Sequence, residues 1–248
     1  MDIEAVIFDW GGTLTAWHDI DFHAESLALA QAVVAADDAQ QDSDQHDTDQ
    51  HDYDAHAARL HRAGATVWGW SRDHQRSATI EDLFAEAGLD HDPDLLIGYY
   101  EFWEPHTLTD PQVGPMWAEL KERGLKVGVL SNTIWPREWH EGFFRRDGVL
   151  DLVDGDVYTS EVPWTKPSAH AFRAAMDAVG VTDPARCVYV GDRLFDDVWG
   201  AHNAGMRAIH VPHSVIPAEQ VGHTEGEPDA VAHELAQIPA IVAGLCSA

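Results

Sequence analysis

The stretch VIFDWGGTL, Val6–Leu14, decides the fold class of this chain and raises its first chemical question. Four apolar residues, Ala5–Phe8, lead directly into Asp9, and two glycines and a threonine follow. An acid that ends a buried strand and faces a glycine turn indicates a nucleophile or a metal ligand. However, the residue two positions further on, where a second acid would help such a nucleophile most, is Gly11.

Other short apolar runs have the same character as Ala5–Phe8. They are nearly continuous and do not alternate with polar residues, which is typical of strands buried in a parallel sheet. These runs are Lys126–Leu130, Cys187–Val190 and Arg207–Val211. Helical patterns between the later runs stop at Gly124 and Gly180, and a last helix is expected over residues 229–245. Strands that alternate with helices predict an α/β fold with a doubly wound parallel sheet.

The segment 16–108 departs from this alternation, because it contains only helical patterns. We therefore predict a core formed by residues 1–15 and 109–248, with an all-helical second domain, 16–108, inserted after the first strand. Within the insertion, residues 37–54 form a low-complexity acidic tract of Asp, Gln and His. Such tracts can bind metal, but nothing here fixes the ligand geometry, so we interpret the tract as a solvated loop or a charged helix extension.

The charge of the chain excludes some classes of partner. The sequence of 248 residues has 43 acidic and 15 basic side chains and a formal net charge of −28. Because so acidic a surface repels nucleic acid and anionic membranes, we expect neither as a partner. We interpret the charge as solvation in a salty cytoplasm, typical of the acidic proteome of a halophile.

The cysteines and the first residues indicate the compartment. Two cysteines are too few for a disulfide framework or a structural zinc site. The chain shows no basic leader followed by a long apolar run and no stretch that could span a bilayer. We therefore expect a cytoplasmic protein, and no pattern in the sequence predicts its oligomeric state.

Polar residues follow each predicted core strand at its carboxyl end. In open α/β sheets, ligands bind at these ends, so we expect the polar side chains to converge. A further segment, VPWTKPSAHAF, places one of only three lysines just before a helix. The residues concerned are Asp9 and Thr13, then Ser131 and Asn132, then Lys166, and finally Asp192, Asp196 and Asp197, of which Asp196 is expected to cap a helix that starts near Val198.

In this order the motifs resemble those of the haloacid dehalogenase superfamily. The pattern is Asp-x-x-x-Thr, Ser-Asn, Lys-Pro and Gly-Asp-x-x-x-Asp-Asp, and the segment GDRLFDDVWGAHNAGM, 191–206, is similar to the family's fourth motif nearly residue for residue. The resemblance covers the whole predicted core, and the insertion lies where that superfamily carries its helical cap. It implies a Rossmann-like core with a cap that closes over it and excludes water.

The resemblance also implies roles for these residues. Asp9 would be the nucleophile that forms an aspartyl-phosphate, and the charge of Lys166 would stabilise the transition state. Thr13 would orient the loop or contact the phosphate, which Ser131, Asn132 and the backbone at Gly12 would bind. Mg²⁺ prefers oxygen ligands and would offset the repulsion among so many acids. Its protein ligands would be Asp9, the carbonyl of Gly11 and Asp192, with Asp197 as a further acid behind them.

Gly11 departs from the pattern of most phosphatases in this superfamily, which have an aspartate there. That aspartate protonates the leaving group and activates water, and such acid–base help increases a rate by roughly 10²–10⁴. Either the leaving group needs no proton, or Thr15, His18 or Asp19 substitutes, or the protein binds phosphorylated ligands with little turnover. Of the three substitutes, His18 has the pKa suited to the task.

The haloacid dehalogenases of the superfamily also lack this acid, but they use no Mg²⁺ and do not keep the Gly-Asp pair of the fourth motif. Here Gly191 and Asp192 are both present, which favours a metal-dependent phosphate site. We therefore predict a Mg²⁺-dependent phosphatase of a small phosphorylated metabolite. The alternatives are a metal-free hydrolytic dehalogenase and a weakly active or non-catalytic binder of phosphorylated ligands.

Overall fold

The computed structural model describes residues 2–17, 19–34, 48–212 and 223–247. Contacts between residues divide the chain into two compact units. The first unit consists of Met1–Trp17, Gln75–Ser77 and Thr107–Ala248, and the second consists of His18–His74 and Ala78–His106. The sequence did not predict that residues 75–77, inside the inserted segment, would belong to the first unit. The function of the second unit as a cap stays a prediction.

A parallel sheet of six strands forms the centre of the first unit. Its strands are β1 (Ala5–Phe8), β2 (Lys126–Ser131), β3 (Gly155–Tyr158), β4 (Cys187–Gly191), β5 (Arg207–His210) and β6 (Ala230–Val231), in the order β3-β2-β1-β4-β5-β6. Every residue of β1 and β4 is buried, which explains why these strands lack polar alternation. The predicted α/β doubly wound fold is confirmed.

The α-helices of the described residues are α1 (Phe22–Ala30), α2 (Thr48–His74), α3 (Ile80–Ala87), α4 (Ile97–Trp103), α5 (Val113–Glu122), α6 (Arg137–Arg146), α7 (Ala169–Ala178), α8 (Gly200–Asn203) and α9 (Ile238–Ser247). In the first unit, α7 packs its buried residues Phe172 and Met176 into the core cluster that contains Ile7 and Tyr189. None of the described helices combines the length and the apolar character needed to cross a membrane.

The structure differs from the prediction at three places in the core. The expected helix over residues 229–245 begins only at Ile238, because Ala230–Val231 pairs with β5 as a short edge strand. Strand β3, with the sequence GDVY, was missed because only its last two residues are buried. Asp196 does not cap a helix near Val198, because it lies inside a π-helix, Leu194–Trp199.

The second unit is helical in its described residues and contains α1 to α4. Helix α3 begins with a capping box in which Thr79 and Asp82 exchange hydrogen bonds between side chain and backbone. The Tyr99 hydroxyl donates to Oε1 of Glu25 over 2.9 Å and thereby links α4 to α1. Of the predicted acidic tract, residues 48–54 form the start of α2, and residues 37–47 lie outside the described residues.

Candidate active site

The site lies at the carboxyl ends of three adjacent strands of the sheet, β2, β1 and β4. Asp9 follows β1, Ser131 ends β2 and Asp192 follows β4, and β1 lies between the other two strands. All three residues are buried, and the Asp9 amide donates to the Val190 carbonyl over 2.8 Å. Parallel strands place these ends at one edge, so residues that are far apart in sequence lie side by side.

The ammonium group of Lys166 is the centre of this site. Its Nζ atom lies 2.6 Å from Oδ1 of Asp9, 2.7 Å from Oδ1 of Asp197 and 3.0 Å from the Tyr189 hydroxyl oxygen. These contacts provide an acceptor for each of its three N–H bonds. Burial alone would lower the pKa of Lys166, but Asp197 and Asp9 outweigh it and raise this pKa well above its usual value. Lys166 is therefore a charged, fixed group.

The backbone around Lys166 is also fixed. The Asn132 side chain donates to the Lys166 carbonyl over 3.1 Å and accepts from the Lys166 amide over 2.8 Å. Both polar atoms of this side chain contact the backbone of Lys166, so Asn132 positions Lys166. Its contact with phosphate stays a prediction. One residue earlier, the Thr165 amide donates to the Gln75 carbonyl, and the guanidinium of Arg76 lies 4.4 Å from the ring centroid of Trp164.

Three carboxylates meet beside this ammonium group. Asp9, Asp192 and Asp197 each offer an oxygen atom, and these atoms lie within 4.8 Å of one another. Burial is the main cause that raises the pKa of Asp9 to about 6, and Lys166 opposes it. Burial, followed by the charges of Asp9 and Asp197, also raises the pKa of Asp192 well above its usual value. The cluster is therefore short of positive charge.

The two oxygens of each carboxylate differ in what they contact. Both oxygens of Asp197 are occupied, Oδ1 by Lys166 and Oδ2 by the Arg193 amide at 2.9 Å. By contrast, Oδ1 of Asp192 is buried without a hydrogen-bond partner. A buried carboxylate oxygen without a hydrogen-bond partner is unfavourable, and a bound cation would compensate it. The donor set therefore fits a hard divalent cation, with Asp192 as the available ligand.

The loop after β1 shapes the other side of the site. The Thr13 hydroxyl donates to Oδ2 of Asp9 over 3.2 Å. Gly12 has a positive φ of 86°, and a Cβ atom there would overlap Oδ2 of Asp192 and Nε1 of Trp17. Its amide donates to the Thr15 carbonyl over 2.8 Å. The predicted contact of this backbone with phosphate stays a prediction.

The residues that could replace the missing acid at Gly11 lie in different parts of the structure. A Cβ atom at Gly11 would meet no atom within 4 Å, so crowding does not explain the absence of a side chain there. The Thr15 hydroxyl donates to the Leu108 carbonyl over 2.9 Å and is therefore already engaged. Asp19 belongs to the second unit, and His18 lies outside the described residues.

Sequence reasoning missed two residues that contact the site. Tyr189 lies within the apolar run of β4, where it reads as a core residue, but its hydroxyl contacts Lys166 and donates to the Leu130 carbonyl over 3.0 Å. Trp17 donates its indole N–H to Oδ2 of Asp192 over 3.2 Å. No local pattern marked either residue; only its position near a motif could have drawn attention to Trp17.

Comparison with known proteins gives a consistent result. The family model for haloacid dehalogenase-like hydrolases matches residues 3–205. A glyceraldehyde 3-phosphate phosphatase from Methanothermobacter thermautotrophicus is 36% identical over 102 residues, which cover 41% of this chain and 44% of that protein. The chain thus spans about half the length of the curated relatives it matches.

Two solved structures share the fold over nearly the whole chain. A HAD phosphatase from Thermococcus onnurineus has a TM-score of 0.64 at 21% identity and covers 98% of this chain and 99% of its own. A 2-haloacid dehalogenase from Pseudomonas syringae pv. Tomato has a TM-score of 0.60 at 22% identity, with coverage of 98% and 99%. Since a phosphatase and a dehalogenase both match, each at under 25% identity, the likeness establishes the fold alone.

Proposed function

The chain belongs to the haloacid dehalogenase-like hydrolases, and from this membership we propose that it is a Mg²⁺-dependent phosphatase of a small phosphorylated metabolite, with Asp9 as the nucleophile. The observation that carries the proposal is the position of the Asp9 carboxylate, 2.6 Å from a buried ammonium group and beside two further acids. A nucleophilic carboxylate requires this combination of a fixed direction and a nearby positive charge.

Each side chain then has a role in the reaction. An oxygen of Asp9, oriented by Thr13, forms a bond to phosphorus while the bond from phosphorus to the leaving group breaks. Water then attacks the same phosphorus and releases Asp9 and inorganic phosphate. In this proposal Lys166 stabilises the negative charge of the transferring group, and Ser131 binds one of its oxygens. The burial of Ser131 at the end of β2 supports this role.

The proposed cation ligands are Asp9, the carbonyl of Gly11 and Asp192. When bound, the cation supplies positive charge that offsets the repulsion between these carboxylates and a phosphate. We assign Asp197 to a different task, because its Oδ2 accepts from the backbone amide of Arg193 and its Oδ1 contacts Lys166. The oxygens of Asp9, by contrast, contact the side chains of Lys166 and Thr13. Asp197 holds the ammonium group of Lys166 beside Asp9 and adds negative charge to the cluster, but it is not a ligand of the cation.

The substrate class follows from the relatives and from Gly11. Curated relatives are named glyceraldehyde 3-phosphate phosphatase and phosphoserine phosphatase, which supports a small phosphate monoester or a related phosphorylated metabolite as the substrate. Without an acid at position 11, leaving groups that depart as stable anions, such as those of acyl phosphates, are expected to react fastest.

A substrate panel measured with and without Mg²⁺ tests this proposal. The panel contains glyceraldehyde 3-phosphate, phosphoserine, acetyl phosphate, p-nitrophenyl phosphate and 2-chloropropionate, each with the wild type and with Asp9→Asn. We expect phosphate release that requires Mg²⁺ and is lost in Asp9→Asn. The control is Asp151→Asn, which changes an exposed acid of the first unit and should keep the activity.

The other outcomes identify the alternatives. Release of chloride in the presence of a chelator would identify a metal-free dehalogenase. Binding of phosphorylated compounds by both the wild type and Asp9→Asn, without turnover, would identify a non-catalytic binder. Either result would overturn the proposal.

A further inference from the structure

Trp17 contacts the same carboxylate that we propose as a cation ligand. Its indole N–H donates to Oδ2 of Asp192 over 3.2 Å, and the pair lies against Gly12. A Cβ atom at Gly12 would overlap both the indole nitrogen and this oxygen, so any other residue there would force the pair to shift. The glycine in the loop after β1 therefore leaves the space in which this hydrogen bond forms.

Because of this contact, the two oxygens of Asp192 have different surroundings. Oδ2 accepts the indole N–H, whereas Oδ1 is buried without a hydrogen-bond partner. A carboxylate with one oxygen tied down has lost rotation about its last bond, so the other oxygen has a fixed direction. We propose that Trp17 is a positioning residue for the cation, which holds Asp192 so that Oδ1 faces it. This inference rests on the proposed Mg²⁺-dependent function.

The neighbours of this pair restrict it further. The guanidinium of Arg193 lies 5.6 Å from the ring centroid of Trp17, which is within range of a cation–π interaction. At the backbone of Asp192, Nε2 of His210 lies 2.9 Å from the carbonyl oxygen. Asp192 is thus held through its backbone by β5 and through its side chain by Trp17.

A packing role alone does not account for the indole. The ring face under Arg193 could be provided by phenylalanine, but phenylalanine has no N–H for Oδ2 of Asp192. Groups that orient a metal ligand in this way commonly affect metal affinity by 10–100-fold when they are removed. A test of this role must therefore remove the hydrogen bond from Trp17 to Asp192 and keep an aromatic ring.

The experiment is a calorimetric titration of the metal-free protein with Mg²⁺, without substrate. In Trp17→Phe, which keeps an aromatic ring but lacks the donor, we expect the Kd for Mg²⁺ to rise roughly tenfold or more. Trp68→Phe removes an indole from an exposed position on α2 and is expected to leave the Kd unchanged. The KM for p-nitrophenyl phosphate at saturating Mg²⁺ is the second readout, because an effect confined to substrate binding would raise this KM without changing the Kd for Mg²⁺.

The possible results separate this inference from the proposed function. An unchanged Kd for Mg²⁺ in Trp17→Phe overturns the inference and leaves the phosphatase proposal intact, as does a raised KM for p-nitrophenyl phosphate with unchanged Mg²⁺ affinity. If the wild type binds no Mg²⁺, both fail together. Far-UV circular dichroism checks that Trp17→Phe is folded, and Trp17→Met provides a second variant without the donor that must give the same increase in Kd.

Discussion

The Nζ atom of Lys166 lies 2.6 Å from Oδ1 of Asp9, although 157 positions separate the two residues in the sequence. The same ammonium group lies 2.7 Å from Oδ1 of Asp197, so one positive charge serves two buried carboxylates. Removing one partner from a buried ion pair is strongly unfavourable, because it leaves an uncompensated charge without water. This relationship makes Lys166 important for the stability of the site as well as for its chemistry.

We expect Lys166→Met to reduce the free energy of unfolding by about 3–5 kcal/mol and to reduce turnover by at least roughly 10²-fold. The stability loss should become smaller when Mg²⁺ is added, because the cation replaces part of the missing charge. Urea denaturation with and without Mg²⁺ measures both effects. The control is Lys121→Met, which breaks a partly exposed ion pair with Asp154 and should change stability by about 1 kcal/mol or less. Equal losses in the two variants would contradict the prediction.

Gly11→Asp is expected to add the missing acid. The position has space for a side chain, since a Cβ atom there meets nothing within 4 Å. Hydrolysis of alkyl phosphates, whose leaving groups need a proton, should accelerate by up to roughly 10²–10⁴, with little change for p-nitrophenyl phosphate. The measurement is kcat/KM against leaving-group pKa, which should depend steeply on that pKa in the wild type and weakly in Gly11→Asp.

Gly11→Asn is the matched control, because it has the same shape without an ionisable group. An equal acceleration in Gly11→Asn would show that the effect is not proton transfer. A wild type whose rate does not depend on the leaving group would mean that another residue donates the proton. His18→Ala then tests whether that residue is His18.

Gly11→Ala and Gly12→Ala form a pair of neighbouring substitutions that differ in local space and in backbone conformation. Alanine at position 11 meets open space, whereas alanine at position 12 would overlap Asp192 and Trp17 and would also have to adopt a φ of 86°. We expect Gly12→Ala to lose most of its Mg²⁺ affinity and about 1–3 kcal/mol of stability, and Gly11→Ala to change the stability by less than about 1 kcal/mol. Thermal unfolding and Mg²⁺ titration test this, and similar losses in the two variants would refute it.

His140 should make the protein sensitive to acid. This residue of α6 is fully buried, with Nε2 3.2 Å from the Thr133 hydroxyl and its ring stacked on Tyr158. Burial, helped by the charge of Arg137, lowers the pKa of His140 to about 3. Because the folded pKa lies below the unfolded value of about 6.5, the neutral ring contributes stability that is complete above pH 6.5 and is lost as the pH falls towards 3.

The expected loss from this one group is about 3 kcal/mol between pH 7 and pH 4. His140→Gln should be less stable than the wild type at pH 7, since the ring no longer stacks, but should lose less stability on acidification. The free energy of unfolding at both pH values is the measurement, and His61→Gln, an exposed histidine on α2, should keep the wild-type dependence. A His140→Gln variant with the wild-type pH dependence would disprove the assignment.

Much of the fold could be predicted because its signals are local. The continuous apolar runs at Ala5–Phe8 and Cys187–Val190 correspond to β1 and β4, and the helices before Gly124 and Gly180 each end two residues earlier. The haloacid dehalogenase resemblance, based on the order of the motifs, is confirmed by the family match over residues 3–205. The weakly apolar edge strands β3 and β6 were not predicted, because pairing with a neighbouring strand, and not their own sequence, makes them strands.

The candidate site was predictable as a set of residues but not as a set of contacts. That Asp9 and Asp192 would meet followed from parallel strands, whose carboxyl ends share one edge. Lys166 does not end a strand, and its role beside them was implied by the resemblance to the superfamily. The two hydrogen bonds from the Asn132 side chain to the Lys166 backbone could not be predicted from the sequence. A side-chain amide can form hydrogen bonds with a phosphate or with the backbone equally well. The choice depends on which group lies within reach after folding.

The sequence by itself determined the class of fold and the chemical groups available at the sheet edge, since apolar periodicity and residue type act locally along the chain. Only the tertiary structure decided which atoms those groups contact. It brought the hydroxyl of Tyr189 into contact with Lys166 and the indole N–H of Trp17 into contact with Oδ2 of Asp192. Oδ1 of Asp192 has no hydrogen-bond partner. The physical reason is that a hydrogen bond depends on the direction of both side chains, and packing between distant segments sets those directions.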